Sequence, residues 1–175
     1  VSNGAALAYV SPTVNGFHVA GACITDETIT GDNGGSTCDH TDVMVAYSNG
    51  PLSVSAGKTN YADTVTTGTK NDQQAIAVKY NMGDLNLVAV STNTKQAGVD
   101  IDGYMVGATY AMGANKIGVG FMNQDTSATA DEDQYIVDFS HALSKSTKIY
   151  VTYHNDDNGA NADVDTTAIG VKHSF

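Results

Sequence analysis

The sequence has no tryptophan and no arginine, and only two prolines and two cysteines. Nowhere in its 175 residues does an apolar run approach the ~20 residues of a membrane-spanning helix. That excludes spanning by helices but not by strands, because barrel strands carry only a weak, period-two signal. Cations are scarce: eight Lys face nineteen Asp and Glu, for a formal net charge of -11. This is the wrong sign for gripping nucleic-acid phosphates. No signal peptide stands at Val1, so a processed form or a piece of a longer protein is expected. Cys23 and Cys38, in a C-x14-C spacing, match no metal or redox motif. A disulfide closing the Gly- and acid-rich loop between them, in an oxidising compartment, is the expectation.

Glycine, by contrast, is plentiful at eighteen residues, and apolar residues are regularly phased. Short turns recur at Thr13-Val14-Asn15-Gly16, Ser48-Asn49-Gly50-Pro51, Met82-Gly83-Asp84, Met112-Gly113-Ala114 and Ser144-Lys145-Ser146. Residues 15, 50, 83, 113 and 145 mark a step of 30 to 35 residues, the length of one hairpin plus one long connection. Asn-Gly and Gly-Asp suit tight hairpins because they accept positive φ. Both prolines lie beside turns, where a missing ladder donor does little harm. Longer polar loops are expected at about 25–41, 62–71, 94–100, 124–131 and 155–163. All but Asp84 and Asp138 among the acids fall in these connections or at the strand ends beside them.

Between the turns, eleven segments alternate. Val43-Val45-Tyr47, Ile76-Val78-Tyr80, Tyr104-Val106-Ala108-Tyr110, Ile117-Val119-Phe121, Tyr135-Val137-Phe139 and Ile149-Val151-Tyr153 each form one apolar side. Gly, Ala, Ser, Thr and Lys occupy the other. The last segment sets Ile169, Val171, His173 and Phe175 against Ala168, Gly170, Lys172 and Ser174. In a soluble sheet the apolar side would meet a core; in an outer-membrane barrel it would meet lipid. Aromatics fall at two heights. Tyr9, Tyr47, Tyr80, Tyr110, Phe139 and Phe175 lie near the short turns, and Tyr104, Phe121, Tyr135 and Tyr153 near the long loops. Two such belts are what the two interfaces of a bilayer select. Ordinary cross-strand aromatic pairing is the alternative.

The expected fold is therefore all-β: an antiparallel transmembrane β-barrel, with about eleven strands present in a single domain over 1–175. Closed bacterial barrels have an even strand count. Eleven strands thus mean either a count off by one or, as favoured here, the C-terminal portion of a longer barrel.

Several stretches resemble the general diffusion porins of Gram-negative outer membranes. Ala8-Tyr9-Val10-Ser11-Pro12-Thr13-Val14-Asn15-Gly16-Phe17 is similar to their "Y-x-S-P-x-x-x-G-F" hairpin. His141-Ala142-Leu143-Ser144-Lys145-Ser146-Thr147-Lys148-Ile149-Tyr150 is similar to their "ALSK-x-T-x-x-Y" hairpin, and Gly170-Val171-Lys172-His173-Ser174-Phe175 to their closing strand. The match runs from about Tyr9 to Phe175. Lys stands where such porins often use Arg, and His173 replaces an aromatic residue. The resemblance implies a sixteen-stranded barrel, usually a homotrimer, of which this chain would form strands six to sixteen, just past an inward-folded constriction loop. It also implies an outer-membrane location, with long loops extracellular and short turns periplasmic, among lipid and lipopolysaccharide. The implied function is passive diffusion of ions and small hydrophilic solutes through a water-filled channel, with no cofactor and no catalysis.

The candidate pore-lining residues are Lys79, Lys116, Lys148 and Lys172, with His18 and Asp138 on the same side. A stripe of Lys inside a pore attracts anions; alternatively these side chains only solvate a polar wall. Acidic loops invite Ca2+, directly or bridging to lipopolysaccharide, with Asp131, Glu132 and Asp133 among the densest acids. Solvated surface charge is the competing explanation. Two rival classes are a soluble or surface β-sheet adhesin and an outer-membrane barrel enzyme. Ser140 and His141 are neighbours in one strand and so face opposite ways, which removes that pair as a catalytic couple.

Overall fold

The computed structural model describes residues 4–26, 38–61, 71–96, 98–126, 131–157, 159 and 162–174. Eleven antiparallel strands follow one another in a single sheet, each paired with its sequence neighbours, in the order β1 to β11. They are β1 (Gly4–Val10), β2 (Phe17–Asp26), β3 (His40–Asn49), β4 (Leu52–Tyr61), β5 (Asn71–Met82) and β6 (Leu85–Gln96). The remainder are β7 (Val99–Met112), β8 (Asn115–Thr126), β9 (Glu132–Ala142), β10 (Thr147–Asp157) and β11 (Val164–His173). The chain divides into two compact units, Val1–Ala77 with Ser91–Asp102, and Val78–Val90 with Gly103–Phe175.

Turn chemistry accounts for the hairpins. Asn15 and Gly16 both have positive φ (50° and 86°), as the tightest two-residue hairpin loop requires. Val14 and Phe17 close it with reciprocal backbone bonds of 2.8 and 2.9 Å. Gly50, Gly83 and Gly113 each take positive φ at the first position of their loops. The fifth short turn has no glycine. Ser144 stands in, its Oγ accepting from the Ser146 and Thr147 amides at 3.2 and 3.1 Å.

One expected loop is much shorter than its composition suggests. Residues 94–100 read as a polar connection, yet β6 runs to Gln96 and β7 begins at Val99. Polar side chains hold these ends together across the strands: Lys95 pairs with Asp100 at 3.3 Å, and Asn93 donates to Asp102 at 2.6 Å. Lys58 and Lys95 thus join the in-strand lysines, and Lys58 pairs with Asp72 at 3.3 Å.

Register keeps the two faces distinct. In the first unit Phe17 lies opposite Tyr47, Val19 opposite Val45 and Gly21 opposite Val43. In the second, Ile117 lies opposite Phe139, Val119 opposite Val137 and Phe121 opposite Tyr135. Apolar residues therefore meet apolar residues across every such pair. Yet among the described residues no apolar side chain is buried. Val45, Val78, Val106 and Val137, one from each of four strands, are 43, 37, 46 and 44% exposed. A soluble sheet would hide this face in a core. An exposed apolar face of this extent is what a membrane or a large partner covers.

Among the described residues, the aromatic rings other than those of Tyr61 and Tyr150 sit on that face. Phe17 packs on Tyr47 with centroids 4.3 Å apart. Near the long connections, Phe121 bridges Tyr104 and Tyr135 at 5.6 and 4.8 Å. Tyr153 donates its hydroxyl to Asp165 at 2.8 Å. Tyr9, Tyr80, Tyr110 and Phe139 are exposed; Phe175 lies outside the described residues. Cys23 and Cys38 form a disulfide.

Candidate functional site

The small-residue face of the second unit carries the charge. Across β8 to β11, one cross-strand row reads Lys116, Ser140, Tyr150, Gly170. The row on one side reads Gly118, Asp138, Thr152, Ala168. The row on the other brings Lys148 directly opposite Lys172. Because side chains alternate along a strand, all of these groups project from the same face. Lys116, Asp138, Ser140, Lys148, Tyr150, Thr152 and Lys172 line a recess of about 640 Å³, to which β7 adds Thr109.

Glycine shapes the floor. Gly118 is buried because the Asp138 carboxylate folds over it; a Cβ there would collide with the carboxylate oxygens. Ile136 folds over Gly120 in the same manner, and Tyr150 over Gly170. In each case the glycine lies directly opposite the large residue in the neighbouring strand. The larger side chain therefore lies down against the wall instead of standing up into the recess, leaving room above it.

The electrostatics are lopsided. Three ammonium groups, Lys116, Lys148 and Lys172, share the recess with one carboxylate, Asp138. Among the described residues the ion pairs are Lys58–Asp72 and Lys95–Asp100, so none of the three recess lysines is neutralised that way. Like charges directly opposite each other destabilise a sheet. The Lys148–Lys172 pair therefore sets up a positive site at a cost in stability.

Of the residues the sequence singled out for the pore, Lys116, Lys148, Lys172 and Asp138 come together here. Lys79 does not line the recess; it is exposed on β5. His18 lies in the first unit, opposite Ala46. There the small-residue face is mostly alanine, with Asp42, Thr59 and Gln73 among the alanines, around a recess of about 550 Å³. Tyr150 and Ser140 were not expected at the site. Alternation already put Tyr150 on this face, but its seat over Gly170 depends on the register between two strands.

Asp131, Glu132 and Asp133 are not gathered around a point. Glu132 and Asp133 belong to β9, whose alternation turns them apart, and Asp133 accepts from Asn123 at 2.8 Å. Among the described residues no group of three or more His, Cys, Asp or Glu is placed to hold a metal ion. His141 bonds to Asn115 at 2.7 Å, while Ser140 faces the recess. His173 bonds to Thr147 at 2.8 Å.

Residues 1–161 match the family model of the Gram-negative porins. The chain belongs to that family. Outer membrane porin protein 32 of Delftia acidovorans is 29% identical over 152 residues, a match covering 82% of this chain and 43% of the relative. The chain thus spans less than half the length of that relative. Among solved structures, the anion-selective porin from Comamonas acidovorans is 24% identical with a TM-score of 0.73, the match covering 97% of this chain and 59% of that one. OmpF of Salmonella typhi, solved with daunomycin, superposes with a TM-score of 0.73 at 15% identity, over 97% of this chain and 61% of that one. These likenesses establish the fold as a transmembrane porin β-barrel wall. Membership of that family places the protein in the outer membrane.

Proposed function

We propose that this chain supplies the wall of a water-filled channel for passive diffusion of ions and small hydrophilic solutes, with a preference for anions. The observation that carries the proposal is the contrast between the two faces. One presents exposed Val, Ile and aromatic side chains, as lipid requires; the other presents small residues and three lysines without ion-pair partners. Lysines lining a pore concentrate anions and repel cations. The related porin from Comamonas acidovorans is anion-selective, which supports the same sign here. Acid in the long connections opposes it at the mouth, so the lysine recess has to outweigh a net charge of -11. It does so through proximity, because charges beyond about a Debye length of ~8 Å are largely screened at physiological salt.

In this reading the short turns are periplasmic and the long connections extracellular, in contact with lipopolysaccharide, and the protein assembles as a homotrimer. The chain is a channel wall and not an enzyme. The test is reconstitution of the native protein in planar bilayers. Stepwise conductance is expected, with a reversal potential in a KCl gradient displaced towards the chloride potential. Pure, detergent-stable protein that never opens a channel would reject the reading.

A further inference from the structure

The recess holds one phenol ring, and its setting is unusual. Tyr150 lies directly opposite Gly170. A methyl group on Gly170 would come within 2.5 Å of the Tyr150 hydroxyl and 2.6 Å of its ring. The ring can therefore rest across the backbone of β11 only because residue 170 has no side chain. Resting there, the ring still lines the recess, and Tyr150 is 36% exposed. Two residues along β10 is Lys148, and two residues along β11 from Gly170 is Lys172. These two lysines are paired across the strands. Two residues along a strand span about 7 Å, a distance that one benzene ring bearing a carboxylate bridges.

From this juxtaposition we infer that the recess is a binding site for aromatic carboxylates. The carboxylate is held between the Lys148 and Lys172 ammonium groups, and the arene lies offset on the ring of Tyr150. Each half supplies what the other lacks. The lysines attract every anion alike and discriminate by charge alone. The tyrosine ring adds an offset-stacking contact that only a flat π-system can use. Tyr150 is thus a specificity-determining residue, and Gly170 is the positioning residue that keeps its ring flat. No hydrogen bond engages the Tyr150 hydroxyl among the described residues, while Ser140 and Thr152, its neighbours in the recess, add further hydroxyls for the solute's hydration shell.

The inference rests on the proposed anion preference, and its test separates the two. Native protein in planar bilayers is titrated with benzoate, cyclohexanecarboxylate and acetate while the ion current is recorded. The first two share charge and approximate size and differ in the arene. Benzoate is expected to reduce the current at about a fivefold lower concentration than cyclohexanecarboxylate, the scale of one aromatic pair. Tyr150→Leu should abolish that difference and leave the KCl reversal potential where it was. Gly170→Ala, which displaces the ring and keeps the phenol, should do the same. Lys148→Glu with Lys172→Glu should instead weaken block by all three anions and shift the reversal potential. Equal block by benzoate and cyclohexanecarboxylate in the native protein overturns the aromatic site while leaving anion preference standing. A benzoate advantage that survives Tyr150→Leu overturns the role of this ring. A native channel without anion preference that still favours benzoate supports the ring and rejects the charge reading.

Discussion

Lys148 and Lys172 stand directly opposite each other across β10 and β11, with no carboxylate paired to either among the described residues. Two like charges in that position work against the sheet that holds them, and their common field projects into the recess. Replacing both by Glu reverses four charges' worth of local field. The reversal potential in a KCl gradient should move towards cation preference. Lys79→Glu, outside the recess, should move it by a distinctly smaller amount. Equal shifts from the two variants would remove the recess as the seat of selectivity.

Glycines in the short turns differ in what they tolerate. Gly16 combines a φ of 86° with a close approach to the Ser48 carbonyl, where a Cβ would clash with backbone. Gly83 also has positive φ, 57°, but a Cβ there meets nothing within 4 Å. Gly83→Ala should cost roughly 1–2 kcal/mol, the ordinary penalty of a left-handed conformation. Gly16→Ala should cost more, because the Ser48 backbone cannot step aside as a flexible side chain would. Urea unfolding of protein folded into lipid vesicles measures both, and equal costs would mean that the first hairpin has slack to absorb the clash.

Much of this fold was legible in advance because a period of two survives even where hydropathy is low. All eleven strands and four of the five short turns follow from alternation and from glycine at positions needing positive φ. Composition misled at 94–100, where Lys95 and Asp100 looked like loop residues and proved to be an ion pair between the ends of β6 and β7. The site was legible in part. Lys116, Lys148 and Lys172 declare their face by alternation, but whether they meet depends on register, which a single strand's pattern does not contain. For the same reason Tyr150 looked unremarkable until Gly170 appeared opposite it.

The Cys23–Cys38 disulfide spans fifteen positions of sequence and ties the connection after β2 back to that strand. Thiol alkylation of the native protein should label neither cysteine, and reduction under denaturing conditions should release two thiols. Cys23→Ser with Cys38→Ser should lower stability by about 3 kcal/mol, the loop-closure entropy of a ring of this size. The transition in heat-modifiable gel migration should fall accordingly. Two reactive thiols in the unreduced protein would contradict the bridge.

The assignment of faces makes the sharpest demand. Val137 and Thr152 lie in adjacent strands, Val137 on the apolar face opposite Tyr153 and Thr152 on the recess face opposite Asp138. An arginine at position 137 would place a charge against hydrocarbon, and such substitutions near the bilayer midplane cost ~2–4 kcal/mol. At position 152 the same arginine would project into water beside Asp138, so stability should change little while the reversal potential moves further towards chloride. Urea unfolding in vesicles, combined with single-channel recording, reads both quantities on the same pair of variants. The opposite pattern, Val137→Arg tolerated and Thr152→Arg severely destabilised, would require the apolar side chains to face inwards. The lysines would then face lipid, and neither the channel nor the aromatic-carboxylate site could stand.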